Sequence, residues 1–342
     1  MASSDGSSIK YQNCCQCQTI LQKVTQVATH NNNSQHEGRG YAYVILAALC
    51  WAVSGSSAKF LFQQGISPFQ LVQLRLSIAA AGIFLWLFIY YRSLLRIEKK
   101  DLLYFVILGA MGLASVQVTY LYTISKIHVA AAILLQYLAP VFIALYSVIF
   151  AHEKLNLRTV FALIGAIAGC YLVSGAYNLN VLSMNKTGII SGILSAIAFA
   201  WYSIQGEYGM KRYDSWTVLF FALLFAALSW NIFYPPFSAF MRPYSAVEWG
   251  WISYIAVFGT AVPFGLYLKG ISLIRATNAS ITATLEPITA GIISWVFLGE
   301  KMDGFQMAGG GLVIFSIILL QLSSPLKMVQ KFLLKLKAIL IG

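Results

Sequence analysis

Two ionisable residues lie inside apolar runs of the chain, where a charged side chain is costly and is a functional candidate by default. One is Glu286, about halfway along the apolar stretch 277–298 and directly before Pro287. The proline removes one backbone hydrogen bond and crowds the carbonyl of Ala283, so the helix is expected to break there. A carboxylate beside a free carbonyl predicts a site for a cation, a proton or an amine. The alternative is a packing element, with the carboxyl protonated or paired with a neighbouring helix.

The second residue is Arg75, in the apolar stretch 68–90. At about 1.5 Å per helical residue it lies about 10 Å from the end of its stretch, and Glu286 lies about 18 Å from the corresponding end. The arginine side chain is long enough to span that difference. Three interpretations follow: an ion pair with Glu286, a site for a substrate carboxylate, or a guanidinium that reaches back to the membrane interface. Lys59 and Glu207, near the ends of their stretches, are expected to reach the interface in that way.

Polar and aromatic residues recur at helical spacing in several other stretches and predict the walls of one pocket. They are Trp51, Ser54 and Ser57; Trp201, Gln205 and Tyr208; Asn278 and Thr282, which precede Glu286 on one helical face; and Gln117, Tyr120, Gln136 and Tyr137. Aromatic walls with a few polar groups suit the binding of an amino acid or a similar metabolite. Trp51 and Trp201 are expected to face each other. The alternative is packing between helices, whose interfaces also carry small and polar residues.

The composition requires a membrane around these residues. Of 342 residues, 59% are hydrophobic and only 10% are charged, against about 25% charged in soluble domains. Ten apolar segments are long enough, or nearly so, to cross about 30 Å of hydrocarbon. They are 41–62, 68–90, 102–123, 129–150, 157–175, 188–208, 215–235, 249–270, 277–298 and 304–322. Continuous runs of this length predict an all-α membrane protein, because barrel strands show alternating patterns of about ten residues.

The positive charges predict the orientation of the spans. With the amino terminus inside, seventeen Lys and Arg fall on the inner side and four on the outer side, while Lys59 and Arg75 lie within spans. Both termini are therefore expected in the cytoplasm, and the net charge of +12 reflects topology rather than nucleic-acid binding. Residues 1–39 predict a disordered tail. Residues 323–342, with a lysine at every fourth position from Lys327, predict a basic amphipathic helix on the anionic inner leaflet.

The chain carries an internal repeat at an offset of 147 residues. The matching pairs are Ala139-Pro140 with Glu286-Pro287, and Glu153-Lys154 with Glu300-Lys301. An identically spaced proline and Glu-Lys pair disfavour chance similarity between apolar stretches. Five spans per half is an odd number, so the halves 40–176 and 187–322 must have opposite orientations. Many secondary transporters are built as inverted repeats with a central site, and helix breaks are expected here at Pro140 and Pro287.

On these motifs the sequence resembles the EamA branch of the drug/metabolite transporter superfamily. The resemblance covers about residues 40–322 and includes Leu273–Ser280, which is similar to the family's segment leading into the ninth helix. It implies ten spans in two inverted five-helix repeats, with a substrate cavity between the halves. It also implies transport of small metabolites, since members export amino acids or other metabolites and some import sugars. The substrate itself is poorly determined by the resemblance.

The sequence therefore predicts a secondary transporter of the cell membrane that exports amino acids or related small metabolites by alternating access. Transport is expected to be either proton-coupled, with Glu286 as the coupling group, or facilitated. Two alternatives stay open: uptake of a sugar or nucleotide-like solute, and a scaffold or sensor that transports nothing. An enzyme is not expected, because the four histidines are scattered over tail and loops. No cofactor is expected either: Cys14, Cys15 and Cys17 lack a second ligand pair at zinc spacing. Glycines in the fifth and tenth spans favour close helix packing, and a homodimer stays open.

Overall fold

The computed structural model describes residues 38–150, 157–173, 179–283, 285–299 and 303–322. Within these ranges the regular secondary structure is helical, and no strand is present among them. The all-α prediction is confirmed for this part of the chain. The Glu-Lys pairs of the repeat, the cysteine-bearing tail and the basic carboxy-terminal segment lie outside the described residues.

The described α-helices are numbered here in chain order. They are α1 (Gly38–Gln63), α2 (Pro68–Tyr90), α3 (Leu102–Ile107), α4 (Ala114–Lys126), α5 (Val129–Gln136), α6 (Ala139–Phe150), α7 (Leu157–Val173), α8 (Leu179–Gly209), α9 (Ser215–Phe233), α10 (Ala246–Ala256), α11 (Val262–Thr282), α12 (Leu285–Leu298) and α13 (Gly304–Leu322). Short 3-10 turns lie in the connections after α2 and α9.

Six helical runs are long and apolar enough to cross a membrane. They are Gly38–Gln63, Pro68–Tyr90, Lys99–Lys126, Lys186–Gly209, Ser215–Phe233 and Ala246–Ala276. Two shorter apolar stretches, Ala131–Ile143 and Gly304–Ser316, accompany them in the described part of the chain. Membrane-crossing length is therefore confirmed for six of the ten predicted spans.

Side-chain caps set the start of two long helices. α2 begins at Pro68, whose fixed φ suits the first helical turn, and Ser67 and Gln70 form a capping box there. α9 begins after Asp214, whose carboxylate accepts from the backbone N–H of Trp216 at 2.9 Å. The capping residues lie 147 positions apart, so these two helices begin in the register of the sequence repeat.

Two long helical runs contain a π-helical turn. α3 continues through the π-helical turn Leu108–Leu113 into α4, and α10 continues through Val257–Ala261 into α11. Both turns carry glycines, and Gly112 and Gly259 lie at the 147-residue offset. Single π-helical turns inside α-helices are frequent at functional sites. Here they bring the backbone close to other helices, as described below.

Two helices begin next to prolines. A turn separates α5 from α6, so Pro140 lies in the first turn of α6, where a proline needs no backbone partner. α12 likewise begins two residues before Pro287. The expectation of a free carbonyl at Ala283 is wrong, because this carbonyl accepts the backbone N–H of Glu286 at 2.9 Å. The helix break lies on the amino-terminal side of Pro287, so the Ala283 carbonyl keeps a hydrogen-bond partner.

Glycines allow α7 and α13 to pack closely. A Cβ added at Gly169 would lie 2.7 Å from Cγ2 of Val313 and 2.9 Å from the carbonyl oxygen of Gly309. Such distances leave no room for a larger side chain. The helix-packing interpretation is therefore confirmed for Gly165 and Gly169, whereas nothing lies within 4 Å of a Cβ at Gly311.

Polar clusters join the connections at opposite ends of the helices. At one end the Asp101 carboxylate accepts from Arg212 at 2.8 Å and from the Tyr213 hydroxyl at 2.5 Å. At the other end Gln73 donates to the side chain of Asn231 at 2.9 Å. Both clusters tie α9, or the turn before it, to the first half of the chain. They leave the space between α1, α4 and α12 for the site.

Candidate functional site

A cavity with about 440 Å³ of empty space, part of which is open to solvent, lies between α1, α2, α4, α5, α8, α11 and α12. It is lined by Trp51, Ser54, Arg75, Val116, Gln117, Tyr120, Gln136, Tyr137, Phe199, Phe264 and Glu286. The structure therefore brings most of the residues singled out in the sequence to one place. Val116, Phe199 and Phe264 are the lining residues that sequence reasoning missed.

Glu286 is buried in the wall of this cavity, with 3% of its surface exposed. Its Oε2 accepts a hydrogen bond from the Tyr137 hydroxyl at 2.8 Å. Tyr137 lies in the turn between α5 and α6, and Glu286 lies in the first turn of α12, so the bond joins two helix breaks. The positive end of a helix dipole favours a carboxylate at that position. The Tyr120 hydroxyl approaches the same carboxyl without reaching hydrogen-bond geometry.

Arg75 is also buried, with 2% of its surface exposed. Its Nε donates to the Thr260 hydroxyl at 2.9 Å, and its Nη2 donates to the carbonyl of Gly259 at 3.0 Å. Both acceptors belong to the π-helical turn Val257–Ala261, so the irregular backbone supplies the partners of the arginine. Neither the ion pair with Glu286 nor the reach back to the interface is present, because the guanidinium is buried against neutral groups.

Four buried donors of the cavity wall have no hydrogen-bond partner among the described residues. They are Trp51 Nε1, Arg75 Nη1, Gln117 Nε2 and the Tyr120 hydroxyl. A buried donor without a partner costs about 1–3 kcal/mol, and buried polar groups in folded proteins are otherwise nearly always bonded. All four groups line one cavity, so a single ligand there can satisfy them together. Gln136 differs, because its Nε2 donates to Ser195 at 2.7 Å.

Aromatic rings form the apolar part of the wall around Trp51. Its ring centroid lies 6.1 Å from Phe199, 5.0 Å from Phe264 and 5.4 Å from Tyr267. Phe199 was accessible to sequence reasoning, since it begins the segment that repeats the surroundings of Trp51. Phe264 offered no such signal, because its approach depends on the π-helical turn before it.

Six of the residues predicted to form the pocket walls do not line this cavity. They are Ser57, Trp201, Gln205, Tyr208, Asn278 and Thr282. Trp201 packs on the π-helical turn Leu108–Leu113, where a Cβ on Gly112 would lie 2.9 Å from the indole, and it makes no ring contact with Trp51 in the described structure. The Thr282 hydroxyl donates within its own helix to the Asn278 carbonyl at 2.9 Å. Helical spacing alone does not distinguish a helix face that packs against another helix from a face that lines a pocket.

Lys59 and Glu207 hold helix junctions in place. The Lys59 ammonium donates to the carbonyls of Ile124 and Ile127 at 2.8 and 2.9 Å, at the carboxy-terminal end of α4. The Glu207 carboxylate accepts the backbone N–H of Ala276 at 3.0 Å, at the break inside α11. Each binds backbone groups of another helix, and the Glu207 carboxylate also lies 3.6 Å from Nε of the exposed Arg275, so both side chains do more than reach towards the interface.

Comparison with protein families identifies the class of molecule. The model of the EamA-like transporter family matches the chain twice, over residues 38–175 and 186–322. The chain belongs to the EamA-like transporter family. The resemblance noted from the sequence is thereby confirmed.

Several known proteins are similar to this EamA-like chain over most of its length. The uncharacterized inner membrane transporter YicL of Salmonella typhimurium is 30% identical over 297 residues, which are 84% of this chain and 96% of that protein. The pseudopaline exporter CntI of Pseudomonas aeruginosa (strain PAO1) is 27% identical over 217 residues, or 62% and 72% of the two chains. One solved crystal structure shares the fold, with a TM-score of 0.58 at 20% identity over 85% of this chain and 98% of that chain.

Membership of the EamA-like family places this chain in a family of membrane transporters. Its apolar helices make it a multi-pass membrane protein, as the family requires. The cavity is then the natural candidate for a solute site, because it gathers buried polar groups between apolar helices.

Proposed function

We propose that this protein is a secondary transporter that exports amino acids or related small metabolites by alternating access. The observation that carries the proposal is the buried Glu286, bonded to Tyr137 where two broken helices meet in a cavity. An ionisable group within a membrane is expensive and marks ion or substrate pathways. Glu286 is assigned the coupling role, because a carboxyl that gains and loses a proton can link transport to pH.

The proposed frame is two inverted five-helix repeats, residues 40–176 and 187–322. The two separate family matches support it. So do π-helical turns and helix breaks that recur near an offset of 147 residues. Rocking of one repeat against the other would open the cavity to each side in turn. The distribution of lysine and arginine supports cytoplasmic termini.

Export is favoured over uptake by one relative, since CntI is an exporter by name. An amino acid or similar solute is favoured by the cavity itself. Aromatic rings surround its apolar side, and Arg75 and Glu286 give it one cationic and one acidic group. Trp51, Ser54, Gln117, Tyr120 and Gln136 are the other proposed contacts of the substrate.

The test of the coupling role is counterflow of labelled amino acids in liposomes over a range of pH. We expect Glu286→Gln to abolish the pH dependence while the purified variant stays folded, because the neutral amide keeps the size of the side chain and cannot titrate. Glu98→Gln, at an exposed glutamate between helices, is the matched control and should leave the pH profile unchanged. A pH profile in Glu286→Gln that matches the wild type would refute the assignment.

A further inference from the structure

We propose that Arg275 is a strained hinge, held by Glu207, whose opening exposes the cavity at the end of the molecule where α1 begins. This role depends on the alternating access proposed above and assigns part of its motion to one backbone position. Arg275 interrupts α11, with a φ of 69° and a ψ of 159°. The chain is helical on both sides of it, so the change of direction falls on this single residue.

The backbone conformation of Arg275 is one that a side chain opposes. A positive φ with an extended ψ belongs to a region that is essentially reserved to glycine. Phe237 is the other non-glycine residue with a positive φ in the described part of the chain. Its φ of 52° and ψ of 10° lie close to the left-handed helical region that side chains do visit. Strain is therefore concentrated at Arg275, and such strain persists only where the surrounding structure holds it.

The Glu207 carboxylate supplies that hold. Its Oε2 accepts the backbone N–H of Ala276 at 3.0 Å, and its Oε1 lies 3.6 Å from Nε of Arg275. Ala276 is the first residue after the break, so Glu207 of α8 caps the second segment of α11, Ala276–Thr282, as an N-cap side chain does. The Arg275 side chain is 83% exposed, so its ion pair contributes little. The bond to the backbone is the clamp.

The corresponding junction in the first half of the chain is relaxed. The residue 147 positions before Arg275 is His128, between α4 and α5. Its φ of −59° and ψ of 143° are an ordinary extended conformation. Lys59 binds carbonyls at that junction, whereas Glu207 binds an N–H at its counterpart. The two junctions therefore differ in stored strain as well as in the charge that holds them.

The hinge lies between two walls of the cavity. Phe264 precedes it in α11, Glu286 follows it in α12, and both line the cavity. Rotation about Arg275 therefore moves one wall relative to the other. A Cβ added at Gly40, near the start of α1, would lie 2.6 Å from Cγ2 of Ile274, the residue before the hinge. The hinge is thus at the end where α1 begins, and its opening exposes the cavity on that side.

The first test separates backbone strain from the side chain. Arg275→Gly and Arg275→Ala remove the same ion pair, but only glycine adopts the native φ and ψ without cost. We expect amide exchange in 271–283 to be about tenfold slower in Arg275→Gly than in Arg275→Ala, because the closed hinge is relieved of strain. Its melting temperature should be about 2–4 °C higher. Equal exchange in the two variants would show that no strain is stored there and would overturn the inference.

The second test asks whether the hinge serves transport. In liposomes that hold the full chain, counterflow of a pool of labelled L-amino acids should be about tenfold slower with Arg275→Gly than with Arg275→Ala, since opening at this end becomes the slow step. The apparent KM should agree within about twofold, because the residues that line the cavity are unchanged. Slower exchange with equal rates of counterflow would overturn the role of the hinge and leave transport standing. No counterflow in the wild type would overturn the transport proposal, and the exchange comparison would then decide the hinge by itself.

The third test addresses the clamp. Glu207→Met removes the acceptor, whereas Glu207→Gln keeps an amide oxygen that accepts the Ala276 N–H. We expect faster exchange in 271–283 in Glu207→Met, and exchange within about twofold of the wild type in Glu207→Gln. Adding Arg275→Gly to Glu207→Met should restore most of the protection, because the relieved backbone no longer needs the clamp. Failure of this rescue would show that Glu207 is a helix cap alone and would overturn its role in holding strain.

Discussion

At the scale of single residues, charge within an apolar run is the signal that locates the cavity. Glu286 and Arg75 both line it. Each can be identified from its own charge within an apolar run, without reference to the residues around it in the sequence. The partners of Arg75 are not predictable in that way. Gly259 and Thr260 present their acceptors through a π-helical turn, and nothing in the composition of Val257–Ala261 distinguishes that turn from ordinary helix.

Tyr213, in the connection between α8 and α9, makes a pH-dependent contact with Asp101. Burial, followed by the hydrogen bond to Asp101, raises the pKa of Tyr213 above its usual value. Since the folded-state pKa is raised, the contact stabilises the protein below the ordinary tyrosine pKa of about 10 and is lost as pH rises through the folded-state value. We expect Asp101→Asn to lower the pH at which Tyr213 ionises, measured by the absorbance of tyrosinate during a pH titration.

The control for this titration is the same substitution in a Tyr213→Phe background, where the difference between the two curves should vanish. Coincident curves for the wild type and Asp101→Asn would show that the carboxylate does not hold the phenol in its neutral form.

At the scale of helices, the sequence predicts starts better than interruptions. Ser67 and Asp214 mark the first turns of α2 and α9 because capping is a local interaction. The proline signals place α6 and α12 within a few residues. The π-helical turns escape prediction, because they are favoured by contacts with other helices. Gly259 illustrates this, since its backbone lies against Ser54 of α1.

Gly259 therefore gives a test of the packing between the π-helical turn Val257–Ala261 and α1. A Cβ at this position would overlap the Ser54 side chain, and we expect Gly259→Ala to lower the free energy of unfolding by about 1–3 kcal/mol. Gly82→Ala is the matched control, because nothing lies within 4 Å of a Cβ there. It should be neutral or up to about 1 kcal/mol more stable, since alanine favours helix over glycine.

The measurement is thermal unfolding of the purified variants. Adding Ser54→Ala to Gly259→Ala should recover part of the loss by making room for the methyl group. Equal stability of the two glycine variants would mean that the helices tolerate a wider separation.

At the scale of the whole molecule, Lys59 and Glu207 hold two junctions that lie at opposite ends of the helical run Lys99–Lys126. The run Lys99–Lys126 is about 40 Å long at 1.5 Å per residue. Lys59 binds backbone carbonyls at its carboxy-terminal end, while Arg212, five residues after Glu207, binds Asp101 at its amino-terminal end. Sequence spacing alone does not predict these contacts. They join residues that are 65 or more positions apart in the sequence, so they depend on how the helices are placed in space.

We expect the two junctions to respond independently. Glu207→Met should speed amide exchange in 271–283 about fivefold, the effect of losing a cap worth about 1 kcal/mol, and leave 124–132 unchanged. Lys59→Met should do the reverse, so each variant is the control for the other. Hydrogen exchange followed by mass spectrometry makes the measurement. Faster exchange in both segments in either variant would show general loosening rather than two separate junctions.

The buried arginine of α2 has no counterpart in α9. The position 147 residues after Arg75 is Ala222, where a Cβ on Gly109 would lie 2.7 Å from the Ala222 carbonyl oxygen. The two copies of the proposed duplication thus differ at this position: one packs tightly against a glycine, and the other carries a cation that lines the cavity. Laboratory redesign of selectivity should accordingly begin on the Arg75 face of α2 and spare α9.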